Sequence, residues 1–164
     1  MEKLEIAVIP GDGIGIEIME SCLETLNVLQ RQRNGFSLSF QHIEAGALYF
    51  KKTGEDISRK SFKKVCNAKA ILLGAIGLPS IRHSDGTEIA PHLEIRSALE
   101  LYAGIRPIKA FPCVPLVLAD PRAKDIDLVI VRESTEGLFA SIGKGFVEND
   151  SIAQETMEIT RNIC

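Results

Sequence analysis

Three arginines carry the clearest chemical promise in this chain: Arg96 and Arg106 in RSALELYAGIRP, and Arg132 in DLVIVRESTEGLF. A guanidinium is always charged and meets a carboxylate two hydrogen bonds at a time, so three of them converging would read a small polycarboxylate. Arg132 follows the apolar run 128–131 and is expected to emerge from the carboxyl end of a buried strand, where open α/β sheets bind ligands. Arg106 directly precedes Pro107, which biases it to extended backbone after a break at Gly104. Arg96 sits at the edge of a helical face formed by Ile95, Leu99 and Tyr102. The alternative is three surface arginines paired with Glu94, Glu100 and Glu133.

The elements that must position these groups alternate between strand and helix. The apolar run at 4–10 ends in Pro10 and the turn Gly11-Asp12-Gly13, and it reads as a buried parallel strand. Ile14, Ile18, Cys22, Leu26 and Leu29 then recur at helical spacing until Asn34-Gly35. Residues 36–43 alternate as a strand, and Ser58 is placed to cap a helix running through Val65 and Cys66, with Ile57 and Phe62 as its hydrophobic staple. Residues 70–73 read as the next buried strand. The stretch 74–91 is too rich in glycine, proline and serine, and too long, for a routine connection. Beyond it the pattern predicts a helix at 93–102, strands at 105–111 and 126–131, and an edge strand at 152–160. The fold class is α/β, a parallel-sheet fold with residues 1–101 in a larger domain and 102–164 beginning a second.

Composition narrows the function classes. Net charge is −3 with acids and bases interspersed, so no nucleic-acid footprint is expected, and 45% hydrophobic residues fit a globular chain. No window reaches the ~18 apolar residues of a membrane span. The strand-like start leaves no room for a secretory signal, so a cytoplasmic location is expected. Cys22, Cys66, Cys113 and Cys164 are too scattered for a zinc site or a disulfide framework, and three lie in apolar contexts suited to core residues.

Pro10-Gly11-Asp12-Gly13-Ile14-Gly15 lies between strand and helix, as a phosphate-cradling loop does, and Glu44 follows the second strand where a dinucleotide fold keeps its ribose acid. The glycines run G-x-G-x-G, however, and Glu44 lies beyond the usual spacing; a tight turn needing backbone freedom is the other reading.

Four motifs in order, PGDGIG, LLGAIGLP, the Arg96 to Arg106 pair in R-x9-R-P, and IVREST-EGLF, resemble the β-decarboxylating dehydrogenases, the isocitrate/isopropylmalate dehydrogenase family. The resemblance covers essentially the whole chain. It implies the isopropylmalate-dehydrogenase-like fold and the oxidation of a 2-hydroxy dicarboxylic acid by NAD or NADP, followed by loss of the β-carboxylate, assisted by Mg2+ or Mn2+. On this mapping Arg96, Arg106 and Arg132 clamp the malate moiety, and His92 and Leu93 border the substrate's variable group. Ile14 would contact the cofactor's adenosine end, and Gly74, Ala75 and Ile76 would border the nicotinamide. The resemblance also implies a homodimer through an arm at 143–160.

Two departures qualify it. Family members are longer, and the part without a counterpart here carries the general-base lysine, the metal-binding aspartates and the main adenine-binding loop. The chain ends within a METITR-like segment, MEITRNIC. It therefore reads as an N-terminal half, from a truncated gene, an expression boundary or proteolysis, that is inactive alone, with its metal ligands elsewhere. A non-catalytic diacid-binding or regulatory subunit is the alternative. Phe139 stands where the family usually carries a tyrosine that assists protonation of the enolate; it keeps the ring and loses the donor. His92 could meet a third carboxylate or simply start a helix facing water, while His83 and His42 read as surface residues.

Overall fold

The sheet is built outward from β1 (Glu2–Ile9), whose Ala7, Val8 and Ile9 are fully buried because strands flank it on both sides. The computed structural model describes residues 2–33, 35–139, 146–148, 152–154 and 156–161. They divide into two compact units, Met1–Ala98 and Leu99–Cys164.

In the first unit α1 (Ile14–Gln32) leads to β2 (Phe36–His42), which pairs parallel with β1 from Glu2↔Phe36 to Val8↔His42. After β2 come α2 (Ala47–Thr53) and α3 (Arg59–Asn67), and β3 (Ala70–Leu73) then pairs parallel on the other side of β1. The order β2-β1-β3 puts the ends of β1 and β3 side by side. Ser58 caps α3 as expected, its hydroxyl accepting from the Ser61 amide at 3.1 Å.

Several expectations need correction. The inner face of α1 runs through Gly15 and Met19, which are buried; Cys22 and Leu26 are half-buried, but Ile14, Ile18 and Leu29 are 66%, 49% and 43% exposed. The helix is turned by its closest approach: a Cβ on Gly15 would lie 2.4 Å from the Pro10 carbonyl oxygen and 2.5 Å from that of Ala75, so that side must face inward. β3 is only half-buried, since it is an edge of the three described strands. α2 has no counterpart in the sequence reading.

Residues 74–90 are more ordered than an irregular loop. Antiparallel bridges join Leu78 to Ile81 and Arg82 to Glu88, and the His83 amide donates to the Thr87 carbonyl at 3.0 Å. Asp85 stabilises the turn, its carboxylate accepting from the Thr87 amide at 2.9 Å and hydroxyl at 2.7 Å. α4 (Pro91–Ala98) packs beside α3. It ends before Leu99 and Tyr102 because Glu100 takes a left-handed φ of 51°, so the helical face expected through 102 is cut short.

In the second unit β4 (Ala103–Lys109) and β5 (Asp127–Glu133) form a two-stranded antiparallel ribbon, joined through a proline-punctuated link and a 3-10 turn at Pro121–Asp125. This corrects the expectation of a buried strand before Arg132. With one partner strand and no described layer over either face, Leu128, Val129, Ile130 and Val131 are 45–65% exposed. β6 (Phe146–Glu148) pairs antiparallel with β7 (Ile152–Gln154). The edge strand expected to Thr160 therefore stops at Gln154, and Glu158 bridges Gly137 instead. The remainder of the arm, residues 143–145, 149–151 and 155, lies outside the described residues.

Candidate functional site

The glycine turn after β1 is organised by a residue that local sequence reading passed over. Asp12 is 2% exposed, and its carboxylate accepts from the amides of Ala47 (2.8 Å), Leu48 (2.8 Å) and Gly77 (2.9 Å). Its own amide donates to the Ala75 carbonyl at 2.7 Å. One side chain thus caps α2 from 35 positions away and pins the residues after β3. These amides are satisfied by a carboxylate of the protein itself, so they are not free to cradle a phosphate.

Glycines make this junction possible. A Cβ at Gly74 would lie 2.0 Å from the Pro10 carbonyl oxygen, and one at Gly11 2.0 Å from that of Ala75. Of the residues expected to border a cofactor, Gly74 is closed against Pro10, and Ala75 gives its carbonyl to Asp12. Ile76 is half-buried, while Ile14, at the start of α1, is largely open. Glu44 lies two residues beyond β2, exposed, beside a cavity of about 290 Å3 that Gly11, Ile16, Leu48, Tyr49 and Lys52 also line.

The ribbon of the second unit places two of the three arginines together. Arg106 pairs with Ile130, and Gly104 with Arg132. Directly opposed residues of an antiparallel pair share a face, as do residues two apart on one strand. Arg106 and Arg132 therefore project from the same face of the ribbon as diagonal neighbours. Gly104 leaves space for the Arg132 stem; a Cβ there would sit 3.2 Å from the Arg132 carbonyl oxygen and 3.6 Å from its Cβ.

Among the described residues neither guanidinium is spent on an acid. Among the described residues the ion pairs are Arg82–Glu88, His83–Asp56, Lys109–Asp127 and Arg122–Asp120, and none involves Arg96, Arg106 or Arg132. This overturns the pairing with Glu94, Glu100 and Glu133. Glu133, the nearest acid in sequence to Arg132, is turned to its own chain, accepting from the Thr135 amide (2.6 Å) and hydroxyl (2.7 Å) and the Glu136 amide (3.0 Å). Burial opposes its charge, but these hydrogen bonds prevail and hold the carboxyl below its ordinary range. Glu136 in turn accepts from the Thr160 amide and hydroxyl, at 2.6 and 2.7 Å. The chain so fixed brings Phe139 back to Arg132, whose Cζ lies 5.4 Å from the ring centroid.

On α4, Arg96 and Leu93 are half-buried, and His92 stands one turn before Arg96. His92 is half-buried rather than open to water, and its Nδ1 is buried without a partner among the described residues. Burial and then the Arg96 guanidinium push its pKa down, against a weaker upward pull from Glu88. The neutral imidazole is thus favoured in the folded chain. Below an unfolded value near 6.5 the unfolded chain binds the proton more readily, so His92 contributes stability above that pH and loses it as pH falls through the folded value. Urea unfolding of the parent and a His92→Gln variant between pH 5 and 8 is expected to show the parent losing stability more steeply below about 6.5; parallel profiles would contradict it.

His83 is not a bare surface residue either. Its Nε2 lies 3.3 Å from Asp56, and its ring meets Phe50 edge-on at 4.9 Å. His42 is exposed at the end of β2. Cys113 is exposed rather than buried, and Cys22 and Cys66 are half-buried free thiols. No described helix is long and apolar enough to cross a membrane.

The chain is 37% identical over 139 residues to the 3-isopropylmalate dehydrogenase of Methanothermobacter thermautotrophicus, covering 85% of this chain and 37% of that protein. It is 34% identical over 169 residues to the decarboxylating D-malate dehydrogenase of Escherichia coli, covering 99% of this chain and 46% of the other. A β-decarboxylating dehydrogenase from Thermococcus kodakarensis superposes with a TM-score of 0.66 at 31% identity, over 99% of this chain and 42% of that one. The chain thus spans less than half the length of the curated relatives it matches. The family model for isocitrate/isopropylmalate dehydrogenases matches residues 5–163, and with its parallel α/β sheet and that coverage the chain belongs to the isocitrate/isopropylmalate dehydrogenase family and spans part of that fold.

Proposed function

We propose that Arg106 and Arg132 hold the carboxylates of a 2-hydroxy dicarboxylic acid of the isopropylmalate, malate or tartrate type, with Arg96, Leu93 and His92 as further substrate residues. The reaction served is its oxidation by NAD or NADP, with decarboxylation assisted by Mg2+ or Mn2+. The observation that carries this is the pair of guanidinium groups on one face of the ribbon, neither engaged by an acid among the described residues. An unpaired arginine retains its whole fork of donors for a ligand, and two fixed forks orient a diacid. Relatives that decarboxylate D-malate and tartrate support the substrate class.

The chemistry supplied by a bound nicotinamide and divalent cation is hydride acceptance and polarisation of the hydroxyl. The exposed Ile14 and half-buried Ile76 offer apolar surface suited to the cofactor. Among the described residues no group of three or more His, Cys, Asp or Glu is placed to hold a metal ion. The metal ligands are proposed to lie in the region that the longer relatives have and these residues do not match. The 164-residue chain is further proposed to bind a diacid without oxidising it, in the cytoplasm and as a homodimer through the 143–160 arm.

Calorimetric titration with D-malate, tartrate and 3-isopropylmalate tests this reading. Binding of at least one is expected, weakened about 10-fold or more by Arg106→Gln or Arg132→Gln, since a charge-assisted hydrogen bond is worth about 1.5–3 kcal/mol. Affinities that ignore both substitutions would refute it. Turnover with NAD or NADP and Mg2+ by the same preparation would refute the inactivity, and binding without turnover in a complete protein would favour a regulatory subunit.

A further inference from the structure

We propose that Phe139 is a positioning residue: its ring face holds the Arg132 guanidinium in the orientation that meets a substrate carboxylate. This rests on the reading of Arg132 as a carboxylate ligand and adds what fixes it. The guanidinium carbon lies 5.4 Å from the ring centroid, within the range where a cation is attracted to an aromatic face. Among the described residues Arg132 has no ion-pair partner, and its side chain donates no hydrogen bond.

The ring is delivered by a chain path with its own restraints. Glu133 draws the Thr135 and Glu136 amides onto its carboxylate, Glu136 ties the turn to Thr160, and the Phe139 amide donates to the Glu136 carbonyl at 3.3 Å. Gly137, at φ +63°, donates to the Glu158 carbonyl at 2.9 Å, a left-handed position that glycine takes without strain. On the ribbon, Gly104 leaves the arginine stem no side chain directly across from it, so without another support the long chain would sample many rotamers.

An aromatic face suits this task better than an acid. A glutamate partner would fix the guanidinium but neutralise it and take two of its donors. A phenylalanine attracts the cation through its ring and accepts none of the N–H groups in the guanidinium plane, so the full fork remains for the ligand.

The test compares Phe139→Leu, which keeps an apolar side chain and removes the ring, with Phe139→Tyr and Phe139→Trp, which keep a face. The first readout needs no ligand: the Arg132 side-chain NMR resonances, assigned through Arg132→Lys, should show a ring-current displacement that Leu abolishes and Tyr and Trp retain. The second is affinity for D-malate, expected to fall about three- to tenfold in the Leu variant and to be restored by Tyr, the scale of a cation–π contact. No displacement removable by Leu would overturn the proposal whatever the affinities, and so would displacement with an unchanged Leu affinity. If the parent binds no diacid, the diacid reading falls, and the resonances still decide whether Phe139 holds Arg132.

Discussion

Asp12→Ala is expected to destabilise the chain by about 4 kcal/mol, a large part of the ~5–15 kcal/mol that holds a typical domain folded. The carboxylate is buried and accepts from three amides belonging to two separate segments, the start of α2 and the residues after β3. Alanine leaves all three N–H groups facing a small void, and each buried, unsatisfied donor costs about 1–3 kcal/mol, less any relief from entering water. Asn at the same place keeps one carbonyl acceptor but turns an NH2 toward donors, so about half the loss is expected to remain. Urea unfolding gives the stability, and amide exchange locates it: Ala47, Leu48 and Gly77 should lose protection before β1 does. An Asp12→Asn variant matching the parent in both would mean that the carboxylate is dispensable.

This residue also shows where the sequence stops being readable. β1 and β3 are legible because a continuous apolar run bounded by turn residues has few other uses, and α3 because Ser58 sits at its start. α2 was not legible, because its cap is not local. Gly46 precedes it without a side-chain cap, and the acceptor that satisfies its first amides comes from the β1–α1 turn. No window around residues 47–53 contains that information. The face of α1 failed for a related reason: isoleucines and leucines occur around much of the helix, so periodicity allowed more than one rotation, and the close approach at Gly15 decided between them.

The candidate site divides in the same way. Arg96, Arg106 and Arg132 stand out by residue type and by family motif, but their lack of acidic partners among the described residues follows from the folded chain, and the shared face of Arg106 and Arg132 from register, which single-strand patterning does not specify. The apolar run before Arg132 reads equally well as a parallel core strand, and only its pairing with β4 distinguishes the two. Phe139 was visible as a departure from a motif; its place over Arg132 depends on the turn that Glu133 and Glu136 fix.

Gly74→Ala is expected to destabilise by about 2–4 kcal/mol, more than a single added methyl ordinarily costs on a surface. The new Cβ would fall 2.0 Å from the Pro10 carbonyl oxygen, 2.9 Å from its carbon and 3.2 Å from the Gly15 carbonyl oxygen. All three are backbone atoms, two at Pro10 after β1 and one in the first turn of α1, so no rotamer change relieves the clash and the two strand ends must part. Gly86→Ala provides the contrast. It adds a methyl to open space at φ +87°, where the expected loss is the left-handed penalty of about 1–2 kcal/mol alone. Parting the strand ends also pulls the Ala75 carbonyl from the Asp12 amide and the Gly77 amide from its carboxylate. Gly74→Ala and Asp12→Asn should therefore damage one junction rather than two. The double variant is expected to lose less stability than the sum of the single losses, by about 1 kcal/mol or more, as residues in one network do. Strict additivity in urea unfolding would show that the glycine contact and the carboxylate network stabilise the turn independently, and a Gly74→Ala loss no larger than that of Gly86→Ala would show that the turn yields to the methyl.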